Sequence, residues 1–252
     1  MKLAMISDLH SNIEALNRTL DHIAGRGIDD IICLGDVVGY GPNPIEVIDI
    51  VKEKCRFTIM GNHDEAMIKG PTGFSTIARG AIDWTKSAMK VTLFNRDEMQ
   101  VRWDYLEHLP TRQEEEDFLF VHGSPREPTT EYIFEAEAAH GPSEKWNQIF
   151  GAVPRALFVG HTHLPCVIEE DLNAFKASEI DHKYKLGDKK AIINVGSIGQ
   201  PRDGDSRSCY VEFDGSTVTF HRVPYDFKLT KEKIEAIPEL DNRLGARLVE
   251  GY

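Results

Sequence analysis

Short apolar runs closed by a polar residue punctuate this chain. Leu3 to Ser7 reads as a strand. Asn12 to Ile23 sets Ile13, Leu16, Leu20 and Ile23 at helical spacing, and Gly25 and Gly27 follow as stop signals. Ile31 to Leu34 reads as a second strand. The turn-rich Gly39 to Pro44 is a loop, with Pro44 suited to the first turn of a helix running to about Lys54. Phe57 to Met60 reads as a third strand. This β-α-β-α-β order predicts a parallel sheet with right-handed crossovers. Residues 65 to 110 mix polar and apolar positions and read as mostly helical, an insertion of about 65–118 covering one side of the sheet. The acidic run Glu114 to Asp117 reads as a solvated turn before the strand Phe118 to Val121. Ala156 to Val159, Val167-Ile168, Ala191 to Val195, Cys209 to Phe213 and Val218 to Val223 follow with turns between them, Asp214-Gly215 among these. Their spacing predicts a mainly antiparallel second sheet. From Thr230, helical stretches are broken by Pro238. No repeat or linker intervenes, so residues 1–252 read as a single domain.

Composition narrows the classes. The chain has 252 residues, 41% of them hydrophobic and 28% charged, which suits a soluble globular protein with a sizeable core. The net charge of −12 argues against a broad DNA- or RNA-binding surface. No apolar run approaches the roughly 20 residues of a spanning helix, and Met1 to Ser7 is too short and too soon charged for a signal peptide. Cys33, Cys55, Cys166 and Cys209 are scattered without a CxxC, and Cys33 sits in an apolar run. No disulfide framework and a cytoplasmic setting are expected.

The candidate chemistry sits where strand-like runs end. Asp8-Leu9-His10 follows Ala4 to Ser7, and Asp36 follows Ile31 to Gly35. Asn62-His63-Asp64 follows Thr58 to Gly61, His122-Gly123 follows Phe118 to Val121, and His161-Thr162-His163 follows Leu157 to Gly160. In open α/β sheets, ligands bind beyond the carboxyl ends of strands. Gly35, Gly61 and Gly160 are expected to permit sharp turns that aim the next side chain into one crevice. In an extended backbone, Asp8 and His10, or His161 and His163, would point the same way. Carboxylate, imidazole and amide without thiolate suit a pair of divalent ions, Mn, Fe or Zn first, with Ni and Mg compatible. The other histidines, His22, His108, His140, His182 and His221, lack this context and read as surface or incidental.

Together these segments resemble the signature of the calcineurin-like metallophosphoesterase superfamily, more specifically its small prokaryotic phosphoesterases. The motifs span residues 8 to 163. The resemblance implies an α/β fold of two packed mixed β-sheets flanked by helices, a four-layer αββα sandwich. It implies one metal held by Asp8, His10, Asp36 and His163, and another held by Asp36, Asn62, His122 and His161, with Asp36 bridging. It implies dinuclear-metal-dependent hydrolysis of a small phosphoester or nucleotide by a metal-bridging hydroxide. Asn62 would also steady the phosphoryl oxygens, and His63 would protonate the leaving group, oriented by Asp64.

The chain departs from the family pattern in two places. Where many members carry GDxxD, this chain has Gly35-Asp36-Val37-Val38-Gly39, so the second acid is absent. Where the protein Ser/Thr phosphatases carry two arginines, it has Tyr40 and Met60. Arg202, in the turn-rich Asn194 to Asp205, resembles a residue of an active-site loop in close prokaryotic relatives and is a candidate phosphate contact. The alternative for Arg202 is a surface pair with Asp203 or Asp205. Tyr40 and Asn43 are candidate pocket residues, with plain loop structure as their alternative, and Arg126 is a weaker candidate. A non-catalytic phosphoesterase-like scaffold and a nuclease are the competing functions. Complete donor types at each position weigh against the first, and charge weighs against the second, so no nucleic-acid or membrane partner is expected. A homo-oligomer is compatible with the sequence.

Overall fold

In the computed structural model, which describes residues 2–252, the first third alternates as its hydrophobic pattern predicts. The order is β1 (Leu3–Ile6), α1 (Ile13–Gly25), β2 (Asp30–Cys33), α2 (Pro44–Lys54) and β3 (Phe57–Thr58), with β1, β2 and β3 parallel neighbours. Asn12 caps α1 by accepting the Ala15 N–H, and Ala15, Leu16, Thr19 and Ile23 form its buried face. The third strand is shorter than its apolar run. The Met60 N–H leaves the ladder for the Pro110 carbonyl, and this departure begins the turn toward Asn62.

Three helices follow, α3 (Asn62–Lys69), α4 (Thr76–Ala88) and α5 (Arg96–Glu107), then the hairpin β4 (Arg112–Glu115) and β5 (Phe118–Val121). The acidic run is therefore a turn only at Glu116-Asp117. Glu114 and Glu115 belong to β4, an edge strand whose charges are tolerated because its outer side meets solvent. Arg56 pairs with Glu115 across this edge.

The remaining elements are α6 (Glu144–Ala152), β6 (Ala156–Val159), β7 (Cys166–Glu169), β8 (Ala174–Lys176), β9 (Lys183–Lys185), β10 (Ala191–Asn194), β11 (Ser208–Phe213), β12 (Thr217–Val223), α7 (Phe227–Glu235) and α8 (Asn242–Glu250). Two six-stranded sheets result, ordered β3-β2-β1-β11-β12-β9 and β4-β5-β6-β10-β7-β8. Both are mixed, as the resemblance implies; the expectation from the strand pattern that needs correcting is the wholly parallel first sheet, which also takes up the strands Cys209 to Phe213 and Val218 to Val223. The cause is a switch of sheets after β10. That strand lies parallel to β6, and the chain then crosses over so that β11 joins β1 antiparallel.

Met5, Ile32, Leu34, Phe120, Phe158, Ile193 and Val211 fill the space between the sheets, with Phe120 and Phe158 stacked at 5.5 Å. Leu16, Ile23, Val47 and Ile48 cover the outer face of the first sheet, and Trp146, Ile149 and Phe150 of α6 cover that of the second. Central strands buried on both faces explain the continuous apolar runs. The layers are helix, sheet, sheet, helix. Cys33, Cys55, Cys166 and Cys209 are all free thiols. Among the described residues, no helix is long and apolar enough to cross a membrane.

His22 and His221 are less incidental than their sequence context suggests. They flank Tyr210 on the first sheet, with His22 Nδ1 3.0 Å from the Tyr210 hydroxyl. His221 lies 2.9 Å from the buried Glu212, which also accepts from Arg26 at 2.6 Å and Lys2 at 2.8 Å. Burial pushes the Glu212 carboxyl up, but the bonds from Arg26, Lys2 and His221 outweigh it and hold the group at about 2, below its ordinary 4.5. A depressed carboxyl contributes stability above its unfolded pKa and loses it as pH falls through its folded pKa. With Lys2 and Arg26 partly exposed to screening water, Glu212→Gln is expected to cost roughly 1–2 kcal/mol at pH 7. The gap to the unchanged protein should shrink between about pH 4.5 and pH 2. Urea unfolding at stepped pH reads this directly, and parallel stability curves would refute it.

Candidate metal centre

The polar segments at the strand ends converge, but not by strand alternation. Asp8, His10, Asp36, His161 and His163 have φ of 53°, 47°, 52°, 68° and 63°, in the left-handed region. Such conformations cost about 1–3 kcal/mol each for non-glycine residues and persist only where neighbours enforce them. Here the enforcement is backbone bonding between the loops. The Asp8 N–H donates to Gly35 O at 2.9 Å and the His10 N–H to Asp36 O at 2.9 Å. The Gly199 N–H reaches Asp8 O at 2.8 Å, and the Gly160 N–H reaches His122 O at 3.0 Å.

The preceding glycines also act differently from expectation. Only Gly35, at φ +99°, needs its conformational freedom. Gly61 has an ordinary φ of −90°. It is required because a Cβ there would overlap Asp36 Oδ1, as one at Gly160 would overlap Ser7 Oγ and crowd Asp8.

Two buried groups result, Asp8/His10/Asp36/His163 and Asp36/His122/His161, each with its donor atoms within 4.8 Å of one another. Asp36 belongs to both, with Oδ2 3.6 Å from His10 Nε2 and 3.4 Å from His122 Nε2. Asn62 joins the second group, its Oδ1 3.2 Å from His122 Nε2. Every imidazole in the cluster turns its other nitrogen to a backbone carbonyl. His10 Nδ1 meets Val38 O at 3.2 Å and His122 Nδ1 meets Leu34 O at 2.8 Å. His163 Nδ1 meets Gln200 O at 2.5 Å, and His161 Nε2 meets Thr130 O at 3.2 Å. A carbonyl only accepts, so each ring places its N–H there and presents a lone pair inward. Two pairs then face each other, His10 with His163 and His122 with His161, both at 3.1 Å. Two lone pairs cannot bond each other, whereas a cation between them, or failing that a proton on one ring, satisfies both. The residues present therefore fit a bound metal.

The electrostatics agree. Burial pushes His122 down, but Asp36 and Asp8 outweigh it and raise the group to about 9, so a proton balances the carboxylates there when no cation does. Burial and the charge on His122 push His161 down to about 3. Burial also lowers His10 and His163. Despite burial, Asp8 is lowered chiefly by His163 and Asp36 chiefly by His122.

A cavity of about 350 Å³ opens over Asp36, Asn62, His63, His161 and His163. Tyr40 and Arg202 also line it. Arg202 donates to Gln200 Oε1 at 3.1 Å, while Asp203 pairs with Arg222 and Asp205 with Arg207, so the surface-pair alternative for Arg202 is excluded. Asn43 does not reach the cavity. It precedes α2, donates to Glu46 at 3.1 Å and accepts from Lys233 at 3.2 Å, so loop structure describes it. Arg126 pairs with Glu131 at 3.6 Å and stays outside as well.

The expected His63–Asp64 pair is not formed. Asp64 Oδ1 accepts the N–H groups of Val37 at 3.0 Å and Val38 at 3.3 Å, and Oδ2 accepts that of Gly61 at 3.0 Å. It ties the loop after β2 to the start of α3. Burial and the nearby Asp36 push its carboxyl up to about 7, against those three donors. His63 instead packs among Tyr40, His10 and Phe74, with ring centroids 4.4, 4.7 and 5.0 Å away. Its Nδ1 is buried without a partner, against Gly39, where a Cβ would overlap it. The missing acid at Gly39 thus has no replacement beside His63. Burial lowers this histidine to about 4.

Three features of the site are not readable residue by residue from the sequence, although the third partly lies in the Asn194 to Asp205 loop. Tyr132 stacks on His161 at 3.8 Å, Phe74 stands edge-on to His63, and the carbonyls of Thr130 and Gln200 orient two histidines. All come from irregular segments without periodicity.

Residues 1–216 match the model of the calcineurin-like phosphoesterase superfamily domain. The chain is 36% identical over 263 aligned positions to an uncharacterized protein of Methanocaldococcus jannaschii, covering 99% of this chain and 98% of that one. Among solved structures, a metallophosphoesterase from Sphaerobacter thermophilus is 36% identical with a TM-score of 0.82, covering 100% of this chain and 99% of the other. A hypothetical protein from Pyrococcus horikoshii shares the fold at 19% identity, with a TM-score of 0.76 and coverage of 100% and 98%.

Proposed function

Because the chain belongs to the calcineurin-like phosphoesterase superfamily, we propose that it hydrolyses a small phosphoester or nucleotide with the help of two divalent cations. One would be held by Asp8, His10, Asp36 and His163, the other by Asp36, Asn62, His122 and His161. The observation that carries this reading is the pair of inward-facing histidine couples around the shared Asp36. The donor set favours Mn, Fe or Zn, with Ni and Mg compatible. Bound there, the cations would supply water activation and charge neutralisation at phosphorus.

The chain's own residues divide the remaining work. The Asn62 amide and the Arg202 guanidinium would steady the phosphoryl oxygens, Arg202 as a charge-assisted fork. Tyr40 would close the wall beside them. His63 is neutral at pH 7, and its buried Nδ1 meets no acceptor, so its N–H belongs on the cavity side. There it would hydrogen-bond the leaving oxygen, a positioned-donor effect of up to about 10²–10⁴-fold. Asp64 would act indirectly, by fixing the loop that carries Asp36.

The test is a turnover panel on metal-free protein reloaded with Mn, Fe, Ni, Zn or Mg, using monoester, diester and dinucleotide substrates. Turnover with at least one metal, and two cations per chain, is expected. Bound metal without turnover of any ester would favour a scaffold. Failure to bind metal at all would remove the reading altogether.

A further inference from the structure

The family match ends at residue 216, but the chain beyond it turns back onto the loops of the cation cluster. Helices α7 and α8 pack against each other as a hairpin. Ile234, Leu240, Leu244 and Leu248 of this hairpin share one apolar cluster with Tyr40, Ala78 and Ala81. Tyr40 and Ala78 also line the cavity, so the hairpin backs its wall.

The same hairpin reaches both ends of the segment that carries Arg202. At the first end, the Asn12 amide donates to Gly199 O at 2.9 Å. Asn12 is turned this way because its Oδ1 accepts the Ala15 N–H and the Thr230 hydroxyl, both at 3.1 Å. Its NH2 group is left to face Gly199 O and the Tyr225 hydroxyl, which accepts at 3.3 Å. At the far end, Asp203 accepts from Arg222 of β12, and the Gly204 N–H donates to Gly251 O at 2.8 Å. Gly251 closes α8 at φ +68°, and a Cβ there would lie 2.7 Å from the Asp205 backbone nitrogen. Between these ends Arg202 donates to Gln200 Oε1, a bond that stays within the segment. The ends therefore place the guanidinium relative to the Asp/His cluster. A charge-assisted fork needs its N–H groups aimed at the phosphoryl oxygens, and a displacement of about 1 Å can cost about 10²-fold. Resting on the phosphoesterase reading, we infer that the α7–α8 hairpin tunes phosphate binding, with Thr230 and Gly251 as positioning residues that act through the Arg202 segment. Neither residue touches the substrate. Each keeps one end of the segment where Arg202 can reach it.

The test uses the metal-loaded full chain, titrated with inorganic phosphate by calorimetry and assayed on a 4-nitrophenyl ester. Arg202→Ala is expected to weaken phosphate binding at least about tenfold. Gly251→Ala and Thr230→Val are each expected to weaken it about 3- to 10-fold and to raise KM more than they lower kcat. Both should retain two cations per chain, and Thr230→Ser, which restores the hydroxyl, should recover the parent affinity. In the Arg202→Ala background neither substitution should cost more than about twofold further, because the group they position is gone. A full additional loss in that background would mean general loosening and would overturn the inference. So would loss of a cation, unchanged affinity in both variants, or an Arg202→Ala protein that binds phosphate as the parent does. If Gly251→Ala does not fold, Thr230→Val and its serine counterpart decide alone. A parent that binds two cations and turns over no ester would count against the phosphoesterase reading, while the phosphate titration would still decide the role of the hairpin.

Discussion

Asp36→Asn is expected to lower kcat/KM by at least about 10³-fold, or about 4 kcal/mol of barrier, and to reduce the bound metal to one cation per chain or none. The fold should survive. The Asp36 Oδ1 accepts the His63 N–H at 2.8 Å, a role an amide oxygen keeps. The Oδ2 lies within 3.6 Å of His10 Nε2 and 3.4 Å of His122 Nε2, and an amide nitrogen there donates to those rings instead of joining them in holding a cation. The metal-free variant should unfold below the metal-free parent at pH 7, since the carboxylate that His122 holds, despite burial, well below its ordinary range is lost. Metal analysis, kinetics and a thermal scan separate these outcomes. Two retained cations with activity within tenfold of the parent would show that Asp36 is not the shared group.

Metal removal should have the second large effect. A cation present at 100 times its dissociation constant stabilises the folded chain by about 2.7 kcal/mol per site. In a chain of this size each kcal/mol moves the melting point by roughly 2–4 °C. Two sites predict a fall of roughly 10–20 °C on chelation, reversed by adding the metal back. The size of the effect should depend on pH in a defined direction. His122 is raised to about 9 from its ordinary 6.5, so the metal-free fold gains from its proton below pH 6.5 and loses that gain as pH rises through about 9. A cation must displace the same proton, so its affinity rises over the same interval. The gap between loaded and metal-free melting points should widen from pH 7 to pH 9. A constant gap would mean that binding displaces no proton from His122.

The legible parts of this molecule were those written as periodic or bounded apolar runs. The five strand ends could be found because each donor follows a strand buried on both faces, which forces a continuous apolar stretch. The left-handed conformations of Asp8, His10, His161 and His163 could not, since nothing in those side chains requires a positive φ. It is imposed by bonds to loops far away in sequence. The bonding of Asp64 is not legible because an acid beside a histidine suits either orientation of that ring or capping of a helix, and only the positions of the Val37, Val38 and Gly61 N–H groups decide. The division of strands between sheets was hidden for a similar reason. An apolar run states that a strand is buried but not beside which neighbour, and the crossing from β10 to β11 leaves no compositional mark. Helix α6 did have a signal, in Ser143 as cap and Trp146, Ile149 and Phe150 at helical spacing, though it is only nine residues long.

That crossing segment has a consequence for how such a protein could change its substrate over time. Within a few residues it carries the Gln200 carbonyl that orients His163, the Gly199 N–H bonded to Asp8, and the Arg202 side chain. Altering it to suit a new molecule would disturb the cation cluster in the same stroke. The turn from Gly70 to Ser75 bonds mainly within itself and to the start of α4, yet Thr72 to Ser75 also line the cavity. Innovation is thus cheap in that turn and constrained in the crossing segment. Divergence among relatives with different preferences should gather around Phe74 rather than around Arg202.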